Sequence, residues 1–324
     1  KFIVHGGEKH DVTGHSFVAE VSFHSAMGRP ATRVVSCNTT SIVRTLTALK
    51  RTGLLKRARG TLLRRATDPW ESHLGGIMNT LVPEPDIPSH QGPDAQSVDP
   101  ELDVITMAVK VPQTLAHLHY WSVQLTRRAS KEEVLSAFRA SSRIALIRTG
   151  DGLAAINTVK ELMADLGRPH DNLYEVALWE DMLKVEEDEL FYAYMVDNQA
   201  IVIPDTIDAI RALTGLATKA DYSIRQKNDA RGVRGTLSWR GAQRAKSPPT
   251  RHFFLEGHPE HLFSGGAQFH ASKAGFAPAG PFEWEADWCR MPQTCLFRHT
   301  GAQLTPFRVR STPRGGQWRI TGQR

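Results

Sequence analysis

Near residue 234 the sequence changes character, and that break decides how much of the chain one fold can claim. Before it, apolar residues recur at helix or strand periods, separated by short polar connections. After it, residues 235–324 hold four of the seven Trp and eight of the 13 Phe, with 11 Gly and 8 Pro but one Val, one Ile and no Tyr. Strands usually draw on β-branched aliphatics, and no helical period is sustained there. The tail therefore reads as irregular, with turn-rich pieces such as RAKSPPTRHFF and STPRGGQWR, either disordered or out of frame. Charge divides at the same place. The tail carries 12 Lys+Arg against 5 Asp+Glu, whereas the first 234 residues carry 28 against 29. The basic surplus belongs to the tail, so charge does not point the body toward nucleic acid.

The body has the size for a substantial core, and nowhere do 18 apolar residues run together, which excludes a membrane-spanning helix. Cys37, Cys289 and Cys295 are too few and too scattered for a disulfide framework, so a reducing cytoplasm is the expected location. KFIVHG and FVAEVSF read as strands, as do GTLLRRA, DVITMAVKV, AHLHYWSVQL, SRIALIR, LYEVALWEDML and ELFYAYMV. RVVS is a short strand leading into CNTTSIVRTLTALKRTG, whose Ile42, Val43, Leu46 and Leu49 mark one helical face that Gly53 closes. Ser130 with Glu133 predicts a capping box for SKEEVLSAFRA, INTVKELMADLG is a further helix, and Asp205 is expected to cap TIDAIRALTG. Long strands in hairpins with helices gathered beside them predict an α+β fold, a mixed sheet with helices on one face. No G-x-G-x-x-G follows a strand and no phosphate-cradling G-x-x-x-x-G-K-[ST] occurs.

Chemistry concentrates at VVSCNTT. Cys37 stands where a strand becomes a helix, and the peptide dipoles of a helix start favour a thiolate, which is the nucleophilic form. Ser36, Asn38, Thr39 and Thr40 surround it with donors suited to a phosphate or a developing oxyanion. The plain alternative is a buried structural Cys. In TLAHLHYW, His117 and His119 share one strand face, so either can serve Cys37 as a base, or the two can be metal ligands or a hydrogen-bonded structural pair. No acidic or Cys partner is spaced to complete a zinc site. The loop IPSHQGPD offers His90, Gln91 and Gly92 to a small ligand. Of Arg64 and Arg65, adjacent on a strand, only one is expected to reach a given site.

KFIVHGGEKH, VVSCNTT, LLRRATDP, PSHQGPD, TMAVKVPQTLAHLH, NLYEVALWED and IPDTIDAIRA, in that order, resemble the archaeal (type II) phosphorylating glyceraldehyde-3-phosphate dehydrogenases over residues 1 to about 231. PSHxGPD together with TLAHLH points to the archaeal branch. The resemblance implies that Cys37 attacks the aldehyde of glyceraldehyde 3-phosphate, that hydride passes to NAD or NADP, and that inorganic phosphate releases 1,3-bisphosphoglycerate. It makes His117 the catalytic base, with His119 as fallback. Ser36, Cys37, Asn38, Gln91 and Gly92 bind substrate, the family often having His where Gln91 stands. Gly7, Arg65 and Asn198 contact the cofactor, Asn198 standing where many relatives have Gln.

The resemblance also implies a homotetramer, with no role for a membrane, and a Rossmann domain ahead of Lys1 that this chain lacks. On that reading residues 1–215 are the catalytic domain and residues 216–233 the terminal helix, which packs on the absent domain and here exposes its apolar side. Residues 234–324 are the unmatched basic tail, and the isolated chain is an incomplete enzyme. Two other readings follow from the residues. A Cys-His pair without nucleotide can hydrolyse acyl phosphates or esters slowly. An Arg- and aromatic-rich tail can bind single-stranded nucleic acid, although its Arg and Trp follow no OB or RRM pattern. Cys289, Cys295 and His299 lack a fourth ligand for zinc.

Overall fold

The computed structural model describes residues 1–65 and 81–239 and, beyond them, the backbone of short strands between residues 252 and 322. It divides into two units, Lys1–Ser247 and Pro248–Arg324. In chain order the first contains β1 (Phe2–Gly6), β2 (Ser16–Phe17), α1 (Ala19–Ala26), β3 (Ala31–Val35), α2 (Cys37–Arg51), β4 (Leu55–Arg65), β5 (Val82–Pro83) and α3 (Gln91–Gln96). These are followed by β6 (Val104–Val111), β7 (His117–Leu125), α4 (Lys131–Arg139), β8 (Ile144–Ile147), α5 (Ile156–Asp165) and β9 (Val176–Trp179). β10 (Lys184–Glu186), β11 (Glu189–Val196), α6 (Val202–Thr214) and α7 (Ala220–Arg231) complete it.

Two sheets organise this unit. β1, β3 and β2 form a small parallel sheet in that order. The larger sheet runs β5-β6-β4-β7-β11-β9-β8, with β10 added to β11. It is mixed, β4–β6 and β8–β9 being parallel and β4–β7–β11–β9 antiparallel. β7 alternates buried and less buried residues along its length, which puts His117 and His119 on the inner face. Helix α2 is buried from Cys37 through Leu49 and joins the sheet in the largest apolar cluster. Gly60 sits across from Trp121, whose ring lies 2.6 Å from where a Cβ would stand, so this strand position admits no side chain without moving the indole.

The mixed α+β class holds, but helices do not keep to one face. Ile144 and Leu146 join the α2 cluster, while Ala145 and Ile147 point the other way and pack with Val159, Leu162 and Met163 of α5. A strand apolar on both faces needs cover on both. FVAEVSF is a strand only through Phe17. From Ala19 it is helix, with Ala19, Ser22, Phe23 and Ala26 buried at helical spacing. Its first N–H is capped from far away, Ala19 N donating to Asp205 Oδ1 at 2.7 Å. Asp205 thus does not cap α6, which begins earlier, at Val202. Ser130 caps α4 as expected, but the Glu133 carboxylate turns to Arg127. The terminal helix does not simply expose its apolar side. Ile224 is buried with Phe17, Phe23 and Ala212, while Tyr222 and the preceding Leu216 are exposed.

The tail also departs from expectation. Its described residues form β12 (His252–Phe254), β13 (His261–Ser264), β14 (Gln268–Ala271), β15 (Phe282–Asp287), β16 (Leu296–Phe297), β17 (Arg308–Ser311) and β18 (Gln317–Gly322). They pair as β12-β13-β14-β16 and β15-β18-β17. Aromatic residues carry strand propensity where β-branched ones are scarce, as in HFF and FEWEAD. Cys289, Cys295 and His299 lie outside the described residues, as does the ATDP part of LLRRATDP. Among the described residues no helix is long and apolar enough to cross a membrane, and no group of His, Cys, Asp and Glu could hold a metal.

Candidate active site

The site is built where the parallel strand β3 runs into α2. Ser36 is the N-cap, its Oγ accepting from Thr39 N at 3.3 Å, so Cys37 is the first helical residue. Cys37 Sγ lies 3.3 Å from Asn198 Oδ1, and His117 Nε2 lies 2.5 Å from the same oxygen. Asn198 follows β11 directly, and β11 pairs with β7 so that Val196 faces His117. Asp197 fixes that connection by accepting from Gln199 N and Ala200 N at 3.0 Å each, while Lys160 Nζ holds its other oxygen at 2.8 Å.

The backbone N–H of Arg65 donates to His117 Nδ1 at 2.9 Å. A nitrogen that accepts carries no proton, so the neutral ring bears its hydrogen on Nε2, pointing at Asn198. Turned over, the Asn198 amide would face Nε2 with its NH2 and offer its oxygen to Arg65 Nη2 and Nε at 2.5 and 3.0 Å. The Nε2–H needs an acceptor, which favours the first setting, and the guanidinium favours the second. The amide can therefore present either end at this point.

Electrostatics here run against the sequence expectation for Cys37. Burial pushes its thiol up to about 11, although the Asn38 N–H and the charges of Arg64 and Arg65 act in the opposite direction. Burial, with Arg64 and Arg65 assisting, pulls His117 down to about 3. Cys37 is therefore not a low-pKa thiol in this state, and the pair is neutral. Both arginines, at the end of β4, act on the charge of the site, where the sequence suggested that only one would reach it. Arg64 meets Glu84, which also lies 3.6 Å from His90 Nδ1.

The other expected residues divide. His119 is held by Asn38 Oδ1 at 2.8 Å and Tyr194 OH at 2.9 Å, and its pKa is driven well down by burial, so it is a structural histidine. That bond turns the Asn38 side chain into the core and leaves its backbone N–H at Cys37. Gln91 starts α3, fully buried, with neither amide atom hydrogen-bonded. The Gly92 N–H is taken by Thr106 Oγ1 at 2.9 Å, so it is not open to a ligand. Gly7 follows β1, whose pairing of Gly6 with Val35 carries it level with Ser36 at the carboxyl ends of the parallel strands. Sequence reasoning missed Asp94, which accepts from Thr39 Oγ1 and from Arg33 at 2.6 Å each and so ties α3 and β3 to the Cys37 turn. The D of PSHQGPD was the signal available.

The family profile described as glyceraldehyde 3-phosphate dehydrogenase, C-terminal domain, matches residues 36–181, opening on the cap of the Cys37 helix. Glyceraldehyde-3-phosphate dehydrogenase of Methanopyrus kandleri is 41% identical over 234 residues, covering 72% of this chain and 67% of its own. The chain belongs to the glyceraldehyde-3-phosphate dehydrogenase family. The enzyme of the same name from Methanococcoides burtonii is 41% identical, with 72% and 69% covered, and that from Metallosphaera sedula 41%, with 70% and 67%. Family membership makes the chain an oxidoreductase of archaeal type, and the mixed sheet with its helices fits the family's C-terminal domain. The small parallel sheet precedes the stretch that the profile covers.

Proposed function

We propose that Cys37 carries out the phosphorylating oxidation of glyceraldehyde 3-phosphate through a thioester. The supporting observation is the meeting of Cys37 Sγ and His117 Nε2 on the Asn198 amide oxygen at the first turn of α2. The thiol first gives its proton to solvent water, and the thiolate left behind is favoured by the Asn38 N–H and by Arg64 and Arg65. Thiolate attack on the aldehyde carbon then forms the C–S bond and leaves an alkoxide. The His117 Nε2–H turns from Asn198 to that oxygen as a hydrogen-bond donor. Collapse of the alkoxide expels hydride and leaves the thioacyl enzyme. An oxygen of hydrogenphosphate attacks the thioester carbonyl, the C–S bond breaks, and 1,3-bisphosphoglycerate departs as the Cys37 sulfur takes the proton that the phosphate gives up.

A nicotinamide, of NAD or NADP, supplies the two-electron acceptor when bound. The residues present suit it. Asn198 can present amide donor or acceptor to a carboxamide, Arg65 adjoins it, and a Cβ at Gly7 would meet nothing within 4 Å, leaving space above the strand ends. Among the substrate residues, the buried, unpaired Gln91 has hydrogen-bonding capacity to offer, whereas Ser36 Oγ is engaged with Thr39 N and Thr39 Oγ1 and Asn38 contributes its N–H alone. The domain limits proposed from the sequence, 1–215, 216–233 and 234–324, remain this reading's divisions.

The homotetramer has its own support. On the outer sheet face Met107, Tyr120 and Phe191, with Met182 nearby, are exposed around a hollow of about 340 Å³, an apolar surface suited to a second copy. The test of the activity is NAD(P)H formation from glyceraldehyde 3-phosphate and phosphate, by the chain alone and joined behind an archaeal Rossmann half. Activity lost in Cys37→Ser supports the reading. A folded, nucleotide-binding fusion without turnover overturns it.

A further inference from the structure

A second site lies away from Cys37, where the loop after α5 meets the end of α7. It is a hollow of about 220 Å³ lined by Leu166, Arg168, Pro169, Tyr174, Arg231 and Arg234 with neighbouring backbone, and no carboxylate faces it. Arg168 is committed to structure. Its Nη1 and Nη2 grip the fully buried Glu175 at 2.6 and 2.7 Å, and Nη2 also donates to Gly232 O at 2.6 Å. Glu175 is spent in turn, since Oε1 also accepts from Arg234 N at 2.8 Å.

The remaining charge has no internal answer. Arg231 lies over the Tyr174 ring at 5.4 Å, as Arg168 also does, so two cations share one buried aromatic ring. Among the described residues no Asp or Glu carboxylate forms an ion pair with Arg231 or Arg234. Guanidinium forks match the geometry of phosphate oxygens and can hold two of them at once. Beside them, the Tyr174 ring, Leu166 and Pro169 give the hollow an apolar wall that a bare ion does not use. The loop forming that wall is set in an uncommon shape, with His170 and Asp171 both at φ 54°.

We propose that this hollow binds a phosphomonoester, its phosphate between Arg231 and Arg234 and its carbon part against Leu166, Pro169 and Tyr174. The site stands independently of the reaction proposed for Cys37, because none of its lining residues belongs to that constellation.

Phenylglyoxal modification of the full chain, followed by peptide mass spectrometry, reads each arginine separately. Glycerol 3-phosphate is the probe, with inorganic phosphate, glycerol and sodium chloride at matched ionic strength as comparisons. Arg225, exposed on the same helix, is the internal control. At ten times the dissociation constant the probe should slow Arg231 and Arg234 roughly tenfold and leave Arg225 unchanged. In Arg231→Met, with near-ultraviolet dichroism confirming the fold, Arg234 should lose that protection. Equal slowing at Arg225, or by chloride, overturns the site. No protection at about 10 mM probe, which would saturate a millimolar site, also overturns it. Protection by inorganic phosphate as strong as by glycerol 3-phosphate overturns the assignment of the carbon part to the apolar wall.

Discussion

The backbone N–H of Arg65 donates to Nδ1 of His117, and this single bond determines what the histidine can do. A main-chain amide cannot reverse its role as a side-chain amide can. Nδ1 must accept, Nε2 must carry the proton, and burial keeps a second proton off the ring. In the reaction proposed above, His117 would act as a neutral donor, where its place beside Cys37 led the sequence to suggest a base. The alkoxide formed by thiolate attack needs a donor of this kind, and its collapse needs no base at Nε2.

This assignment separates two substitutions. His117→Gln can place an N–H near the position of Nε2, whereas His117→Ala removes it. Acylation of Cys37 by 1,3-bisphosphoglycerate, followed by mass spectrometry in a single turnover, should fall by about 10²-fold or more in the alanine variant. The glutamine variant should retain roughly ten times more rate than alanine. Equal loss in both would return His117 to the role of base.

Cys37 should alkylate slowly at neutral pH, because its thiol is pushed up to about 11 and donates to Asn198. The iodoacetamide rate should climb about tenfold per pH unit across the neutral range, with no inflection near 6.5 from His117. A hydrogen bond from the neutral thiol favours that thiol, so Asn198→Ala should bring the midpoint down. A rate already level at pH 8 would contradict the buried, neutral thiol.

Much of this site was legible in the chain. VVSCNTT places a thiol at a helix start because a β-branched strand ends in a Ser cap, and TLAHLH puts both histidines on one face because strands alternate. The ionisation of Cys37 was not, since a helix start says nothing of the burial that outweighs it. Nor was the division of labour between the histidines. It depends on Asn38, Tyr194 and the Arg65 amide, partners from elements far apart in sequence. FVAEVSF misled because its apolar residues suit either period, and what settles the helix is a carboxylate 186 residues away.

Acid should unfold the protein through its buried histidines. His15, between Thr32 and Ser25, is lowered to about 4 by burial and by Arg29 and His10, while His117 is lowered to about 3. Unfolded, each would titrate near 6.5, so below that pH the unfolded chain binds more protons and stability falls with pH. The loss should begin near pH 6.5 and continue to about 4 for His15 and about 3 for His117. Melting temperature against pH should show this fall, and His15→Asn should reduce its slope by about one proton. An unchanged slope in a folded His15 variant would remove His15 from the account.

Asp205 supports the Cys37 helix from behind. Its Oδ2 lies 2.5 Å from Arg44 Nη2 of α2, its Oδ1 caps α1 through Ala19 N and lies 3.5 Å from Arg143 Nη1, and all three charged side chains are fully buried. Arg44 also donates to Tyr174 O and Ile201 O, at 2.9 and 3.1 Å, which joins α2 to the segment entering β9 and to the start of α6. Removing Asp205 takes away the shorter of the two carboxylate contacts to Arg44 and leaves it only Glu20, 3.5 Å away, while Arg143 keeps Asp208; breaking a buried pair of this kind costs up to about 3–5 kcal/mol. Asp205→Ala should therefore lower the urea midpoint sharply. Asp205→Asn keeps an acceptor for the Ala19 N–H and should preserve α1 while weakening the hold on Arg44. The cost should still exceed that of a surface substitution, which usually stays within about 0.5 kcal/mol. If Asp205→Ala unfolds at the same urea concentration as the unaltered chain, the buried network does not hold α2 in place.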